Sequence, residues 1–172
     1  YMVGWARRSE SPSSTQDVAA WGGNLVVQKI MQKENGELFL APVDAAQEQF
    51  GTRRALLIED AHLVMQAGSR YSYTDVFTCY ESFAISGEFT FEGQGSFGLA
   101  FDFNGNAEKY KLISLNPADG LLQLSFNEGG TLIAEKEVEL NPGKNYSFTY
   151  IQEGSVGVFY IDGEAALTVR IY

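Results

Sequence analysis

Apolar and polar positions alternate with a period of two along most of the chain beyond residue 51. In Ser96–Phe103, four apolar residues fall on one face of an extended strand and small or polar residues fall on the other. The alternation returns in GEFTFEG, YKLISL, LLQLSF and NYSFTYI, and turn sequences such as NPADG and NPGK separate these runs. Short alternating strands joined by such turns are typical of antiparallel sheets packed face to face. The pattern predicts an all-β fold, an antiparallel β-sandwich.

The first quarter of the chain has a different organisation. YMVGW is a short apolar strand that leads into a polar loop rich in serine. The stretch Asn24–Val43 predicts two strands joined at Asn35-Gly36, because Asn-Gly is a strong hairpin signal. Pro42–Phe50 is the one stretch that predicts a helical turn. We therefore predict a boundary here, with a strand-rich segment at 1–45 and the sandwich at 46–172.

The last two strands, within Val156–Tyr172, have a register that the sequence predicts. If Asp162-Gly163 is a two-residue turn, three apolar pairs share one face: Tyr160 with Ala165, Val158 with Leu167, and Val156 with Val169. The opposite face is also half apolar, since it carries Phe159 and Ile161. A strand that is apolar on both faces is usually covered on both. We therefore interpret Phe159 and Ile161 as residues that pack against a neighbouring domain.

Charge and cysteine content exclude several classes of function. The chain has 12 basic and 22 acidic residues, a formal net charge of −10, which disfavours a nucleic-acid partner. No apolar run approaches the roughly 20 residues needed to span a bilayer, so membrane insertion is not predicted. Cys79 is the single cysteine, which excludes an intrachain disulfide and leaves the compartment open.

Catalytic chemistry has little support in the sequence. His62 is the single histidine, and no nucleophile motif accompanies it, so a structural role is the simpler interpretation. Neighbouring acids such as Glu88 and Glu92 share a strand face and read as solvated residues, not as a pair that flanks one glycosidic bond. We predict no catalytic residue, no metal ligand and no cofactor.

Aromatic side chains offer a different chemistry, because an exposed ring can stack on the apolar face of a sugar. The candidate carbohydrate-binding residues are Trp21, Tyr71, Tyr73, Asp102 and Tyr110. The alternative for the tyrosines is an ordinary strand position, since Tyr71 and Tyr73 alternate with polar residues. Asp102 opens DFNGN, which has some likeness to a calcium loop but lacks its spaced carboxylates and reads more simply as a hairpin turn.

Two segments carry a family resemblance. The closing VGVFYIDGEAALTVRIY resembles the C-terminal strand pair of family 32 glycoside hydrolases, the invertase, levanase and inulinase type. The opening MVGWARRS and the later AAWGGNLVVQKIMQKENGELFLAPV are similar to that family's exit from its catalytic propeller. Val27–Ile30 departs from the Pro-Arg-Glu-Leu that the family often has there, which indicates a divergent branch.

The resemblance implies a five-bladed catalytic propeller followed by a lectin-like (jelly-roll) β-sandwich. Residues 1–45 would then be the last propeller strands and a linker. The family's catalytic acids lie in Asn-Asp-Pro, Arg-Asp-Pro and Glu-Cys-Pro, but the four prolines here follow Ser11, Ala41, Asn116 and Asn141. No catalytic residue is therefore carried over.

The resemblance also implies the partners. They are the protein's own catalytic propeller and, as a candidate ligand, a neutral glycan such as fructan. It favours a secreted or periplasmic protein. Two functions stay open at this point: structural support of a propeller, and carbohydrate binding.

Overall fold

The computed structural model describes residues 1–5, 25–52, 54–66, 68, 72–78, 82–102, 109–127 and 130–170. The predicted all-β, antiparallel fold is confirmed in these residues. The strands are β1 (Met2–Trp5), β2 (Leu25–Gln32), β3 (Leu38–Pro42), β4 (Ser82–Phe89), β5 (Phe97–Phe101), β6 (Lys111–Asn116), β7 (Leu121–Phe126), β8 (Leu132–Glu137), β9 (Tyr146–Glu153), β10 (Val156–Ile161) and β11 (Glu164–Arg170). The helix α1 is Asp44–Glu48, and Glu59–Ala61 form a 3₁₀ turn. Within the described ranges, no helix is long and apolar enough to cross a bilayer.

The strands form three antiparallel sheets that lie in layers. The N-terminal sheet has the order β1-β2-β3, the central sheet β11-β10-β9-β4 and the distal sheet β5-β6-β7-β8. The central and distal sheets share one hydrophobic core. On its other face, the central sheet contacts Val26 of the N-terminal sheet. The central sheet is therefore the middle layer.

The sandwich core lies between the central and distal sheets and is rich in aromatic rings. Phe83 and Tyr150 of the central sheet meet Phe101 of the distal sheet, with ring centroids 6.2 Å and 5.5 Å from that of Phe101. Leu122 and Leu124 of β7 are fully buried among them. These residues are the apolar members of alternating strands, which is why a period of two places them on one face. Their burial supplies the main hydrophobic stabilisation of the sandwich.

A bulge changes the register of the closing hairpin. Tyr160 pairs with Ala165 as the turn at Asp162-Gly163 predicts, but beyond it Phe159 pairs with Leu167 and Val158 with Thr168. Ala166 is thus an extra residue on β11, as in a β-bulge. The predicted pairs of Val158 with Leu167 and Val156 with Val169 are therefore wrong, because one inserted residue shifts every later pair.

The structure also corrects the interpretation of Phe159 and Ile161. Both side chains belong to the sandwich core and are not available to a neighbouring domain. The opposite face of β10 is the covered outer face, where Val158 and Tyr160 lie with Ile151. Both faces of β10 are covered, as expected. The face that carries Phe159 and Ile161 lies in the sandwich core, however, and the face that carries Val158 and Tyr160 lies against the N-terminal sheet.

The N-terminal sheet is attached to the central sheet by apolar and polar contacts. Val26 and Phe50 pack on the outer face of the central sheet, and Lys33 Nζ lies 2.7 Å from Glu164 Oε1 in the last hairpin. Gln28 is 5% exposed and lies beside the hydroxyl of Tyr160. Burial raises the pKa of Tyr160 above its usual 10.0, and the Gln28 side chain partly opposes that shift. The boundary at residue 45 stays a prediction.

Candidate functional site

Three of the five predicted carbohydrate-binding residues lie at one end of the distal sheet. Asp102 directly follows β5, and Tyr110 directly precedes β6. Tyr73, from the segment before β4, contacts Tyr110. The other two candidates, Trp21 and Tyr71, lie outside the described residues. We call Tyr73, Asp102, Tyr110, Lys111 and Asn127 the Tyr73 cluster.

Tyr73 and Tyr110 form an aromatic pair. Their hydroxyl oxygens are 2.6 Å apart, and their rings meet edge to face with centroids 5.7 Å apart. Edge-to-face packing places the positive edge of one ring against the negative face of the other and holds both rings in a defined orientation. Tyr73 is 49% exposed, whereas Tyr110 is half-buried. The pair therefore offers an oriented ring to solvent.

An ion pair lies at the same end of the distal sheet. Lys111 pairs with Phe101 across the two strands, which brings it next to Asp102, and its Nζ lies 2.6 Å from Asp102 Oδ2. Asp102 has a left-handed backbone, with φ of 56°, as short polar residues at turns can adopt. The remaining residues of DFNGN lie outside the described ranges, and the residues that are described contain no group of three or more metal-binding side chains.

Asn127 fixes the backbone of Tyr110. Its side-chain Oδ1 accepts a hydrogen bond from the backbone amide of Tyr110 at 2.9 Å. The backbone amide of Asn127 in turn donates to the Tyr110 carbonyl at 3.0 Å. This reciprocal pair ties the start of β6 to the end of β7. The sequence signal was present, because Asn127 opens the turn NEGG, but the turn gave no indication of which strand it would hold.

The cluster combines an exposed aromatic ring with donors and acceptors. A ring can pack on the apolar face of a sugar, while a carboxylate, an ammonium and two phenol hydroxyls can exchange hydrogen bonds with its hydroxyl groups. Such a small set of polar groups around an apolar surface is the usual composition of a small-molecule site. These groups are chemically suited to contact a polar ring compound.

The residues that were considered for catalysis have other surroundings. Glu88 accepts a hydrogen bond from Asn145 at 2.9 Å. His62 is exposed, and its backbone amide closes the 3₁₀ turn by donating to Glu59. Cys79 lies outside the described residues.

The N-terminal sheet carries a second surface, which the sequence did not predict. Val3 pairs directly with Val27, and Leu25 and Met31 share their face of β2 because side chains alternate along a strand. The exposed fractions are 58% for Val3, 54% for Leu25, 37% for Val27 and 44% for Met31. Lys29 lies on the same face, and its ammonium is held by Asp44 at 2.6 Å. We call Val3, Leu25, Val27 and Met31 the outer apolar face.

Comparisons with known proteins give structural likenesses but no family. No family model matches the chain, and no curated protein matches it. Among solved structures, the carbohydrate-binding module CBM66 from Bacillus subtilis is similar, with a TM-score of 0.48 and 20% identical residues. The alignment covers 55% of this chain and 62% of that module, less than two thirds of its length. Function is therefore inferred from the residues of the chain itself.

Proposed function

We propose that this chain is the non-catalytic C-terminal region of a fructoside-type glycoside hydrolase, and that its lectin-like sandwich packs on and stabilises the catalytic propeller. The outer apolar face of the N-terminal sheet carries the proposal. Contiguous apolar patches of this kind on a protein surface mark interaction sites. Because residues 1–45 resemble the end of a propeller, we take the catalytic propeller as the partner.

The contacts between the layers support a stabilising role. Val26 faces the central sheet, whereas its neighbour Val27 faces outward. A partner that covers Val27 would therefore bind the opposite face of the same strand that contacts the sandwich. The ion pair between Lys33 and Glu164 adds a second attachment at the tip of the last hairpin. Docking on the outer apolar face would thus couple the partner to the sandwich.

The test begins with the coding sequence upstream of Tyr1, where the proposal expects Asn-Asp-Pro, Arg-Asp-Pro and Glu-Cys-Pro. The propeller domain found there is produced separately and titrated with this chain by calorimetry. We expect saturable binding that Val27→Glu weakens at least about tenfold, because a charge would enter an apolar interface.

The matched control is Val64→Glu, since Val64 is 81% exposed and lies outside the N-terminal sheet. It should bind as the unmodified chain does. Absence of binding, or an equal loss in both variants, would contradict the docking role.

The second candidate function is binding of a neutral glycan such as fructan at the Tyr73 cluster. The observation that favours it is the exposed Tyr73 ring, which contacts Tyr110 at the same end of the distal sheet as the Asp102–Lys111 pair. The two functions do not compete for residues, because the Tyr73 cluster belongs to the sandwich end and the outer apolar face belongs to the N-terminal sheet.

Titration with levan, inulin and sucrose tests this second function. We expect saturable heat that Tyr73→Ala abolishes, because the stacking ring is lost. Tyr1→Ala is the matched control, since Tyr1 is an exposed tyrosine directly before β1 and its loss should leave sugar binding unchanged. No heat with any of the three sugars would refute carbohydrate binding and leave the docking role standing.

A further inference from the structure

A lysine lies in the middle of the outer apolar face. Lys29 pairs with Ala41 of β3 and lies between Val27 and Met31 on their face of β2, because alternate residues of a strand share a face. Its side chain is only 27% exposed, as expected where the hydrocarbon stem of a lysine lies along apolar neighbours. A partner that covers Val27 and Met31 must therefore also cover Lys29, and the ammonium group would then lose its contact with water.

The chain itself provides a counterion for this lysine. Lys29 Nζ lies 2.6 Å from both carboxylate oxygens of Asp44. Asp44 is the first residue of α1, and its side chain is 75% exposed. The ion pair is thus formed in the chain without any partner, and its acidic member is the one in contact with water.

This ion pair contributes little to the fold itself. Water competes for the charges of an exposed pair, so such pairs add little to stability. The N-terminal sheet is instead attached to the sandwich through residues such as Val26 and Phe50. The pair gains importance when the outer apolar face is covered, because the exclusion of water strengthens the attraction and makes an unpaired ammonium group costly.

We infer that Asp44 is the counterion that allows the outer apolar face to dock, and that the partner surface over Lys29 is apolar and carries no carboxylate. The docking itself rests on the proposed function, with the catalytic propeller as the partner. A partner carboxylate is disfavoured because Asp44 already binds the ammonium group, and a second negative charge beside it would be repelled. Asp44 is thus a specificity-determining residue of the interface.

The experiment repeats the calorimetric titration with the propeller domain for three variants. Asp44→Asn should bind at least about tenfold more weakly, because Lys29 would be covered without a counterion. Lys29→Met should bind within about threefold of the unmodified chain or more tightly, since it makes the face apolar and leaves Asp44 in water. The double variant should bind as Lys29→Met does. This restoration identifies the ion pair, because independent residues would give additive losses.

The matched control is Glu48→Gln. Glu48 is an exposed acidic residue of the same helix, so its loss changes the net charge equally and leaves the pair of Lys29 with Asp44 intact. It should bind within about twofold of the unmodified chain. All variants should unfold within about 3 °C of the unmodified chain, which separates docking from folding. Docking of the unmodified chain should change less than about threefold between about 50 and 500 mM NaCl, since no ion pair forms across the interface.

Equal binding by Asp44→Asn and the unmodified chain would overturn the role of Asp44 and leave the docking role intact. A loss that Lys29→Met does not restore, or a large fall in the unfolding temperature of Asp44→Asn, would also overturn it. Tighter binding by Asp44→Asn, or docking that salt strongly weakens, would mean that the partner supplies a carboxylate. Absence of binding by the unmodified chain would instead contradict the proposed function and this inference with it, and self-association of the free chain would assign the face to a second copy.

Discussion

The sandwich and the N-terminal sheet are built from the same kind of alternating strands, yet they bury their apolar residues very differently. All the buried hydrophobic residues among those described belong to β4–β11, and the N-terminal sheet contributes only the polar Gln28 to the buried set. The sandwich is two sheets that cover each other. The N-terminal sheet has one face covered and one face open. An alternating pattern thus specifies which side chains share an apolar strand face, but it does not specify whether another part of the chain packs on that face.

The largest expected difference between the two regions concerns truncation of a leucine. Leu124 is 0% exposed in the sandwich core, whereas Leu25 is 54% exposed on the outer apolar face. Leu124→Ala should lower the free energy of unfolding by roughly 2–5 kcal/mol, because it leaves a cavity. Leu25→Ala should change it by less than about 0.5 kcal/mol. Urea unfolding followed by tryptophan fluorescence measures both, and equal losses would mean that the outer apolar face is covered in solution.

Two glycines, one in a strand of the sandwich and one in the N-terminal sheet, allow a comparison of how closely the backbone is packed in the two regions. A Cβ on Gly98 of β5 would clash with the Ile113 carbonyl, whereas a Cβ on Gly4 of β1 would meet nothing within 4 Å. Gly98→Ala should therefore cost roughly 1–3 kcal/mol through overpacking. Gly4→Ala should be neutral or stabilising by up to about 1 kcal/mol, since alanine is less flexible in the unfolded chain. Thermal unfolding of both variants is the measurement, and a loss for Gly4→Ala would reveal a neighbour at that strand.

The junction between the N-terminal sheet and the sandwich should show an intermediate effect. Val158 is buried on the outer face of the central sheet, and Thr168, which pairs with it, is exposed. Val158→Ala should cost about 1–2 kcal/mol from the lost methyl groups. It should also speed hydrogen exchange in β2, because Val26 packs against the cluster that contains Val158. Thr168→Ala is the matched control and should leave the β2 amides unchanged.

The smallest expected effect is a pH dependence at the same junction. Burial raises the pKa of Tyr160 above its usual 10.0, so the folded protein keeps a proton that the unfolded chain has lost. Stability is then fully present below pH 10 and falls as the pH rises toward the raised pKa. Tyr160→Phe should flatten this fall above pH 10 in urea titrations. An unchanged slope in the variant would assign the alkaline loss to other tyrosines.

The fold class followed from the sequence because it depends on local patterns. Alternation in SFGLAFDF placed Phe97, Leu99 and Phe101 on one strand face, and all three belong to or pack against the sandwich core. The Asp162-Gly163 turn was also predictable. Both residues adopt a positive φ, 50° and 77°, as two-residue hairpin turns of this sequence require.

The candidate site was predictable only in part. Tyr73, Asp102 and Tyr110 were selected for their chemistry, but the contact of Tyr73 with Tyr110 depends on how the segment before β4 returns to the end of the distal sheet. Lys111 and Asn127 were not selected, because a strand lysine and a turn asparagine have ordinary local roles. Only cross-strand pairing shows that Lys111 reaches Asp102 and that Asn127 holds Tyr110.

The sequence by itself determined that the chain is all-β, which strands exist and where they turn, since these properties follow from side-chain period and turn chemistry over a few residues. The tertiary structure decided which face of each strand is covered. Ala166 shows one reason: this bulged residue sets Leu167 opposite Phe159, so that Leu167 joins Phe159 in the sandwich core and not Val158 on the outer face. Register is a long-range property, because it depends on which strands meet and where a ladder skips a residue.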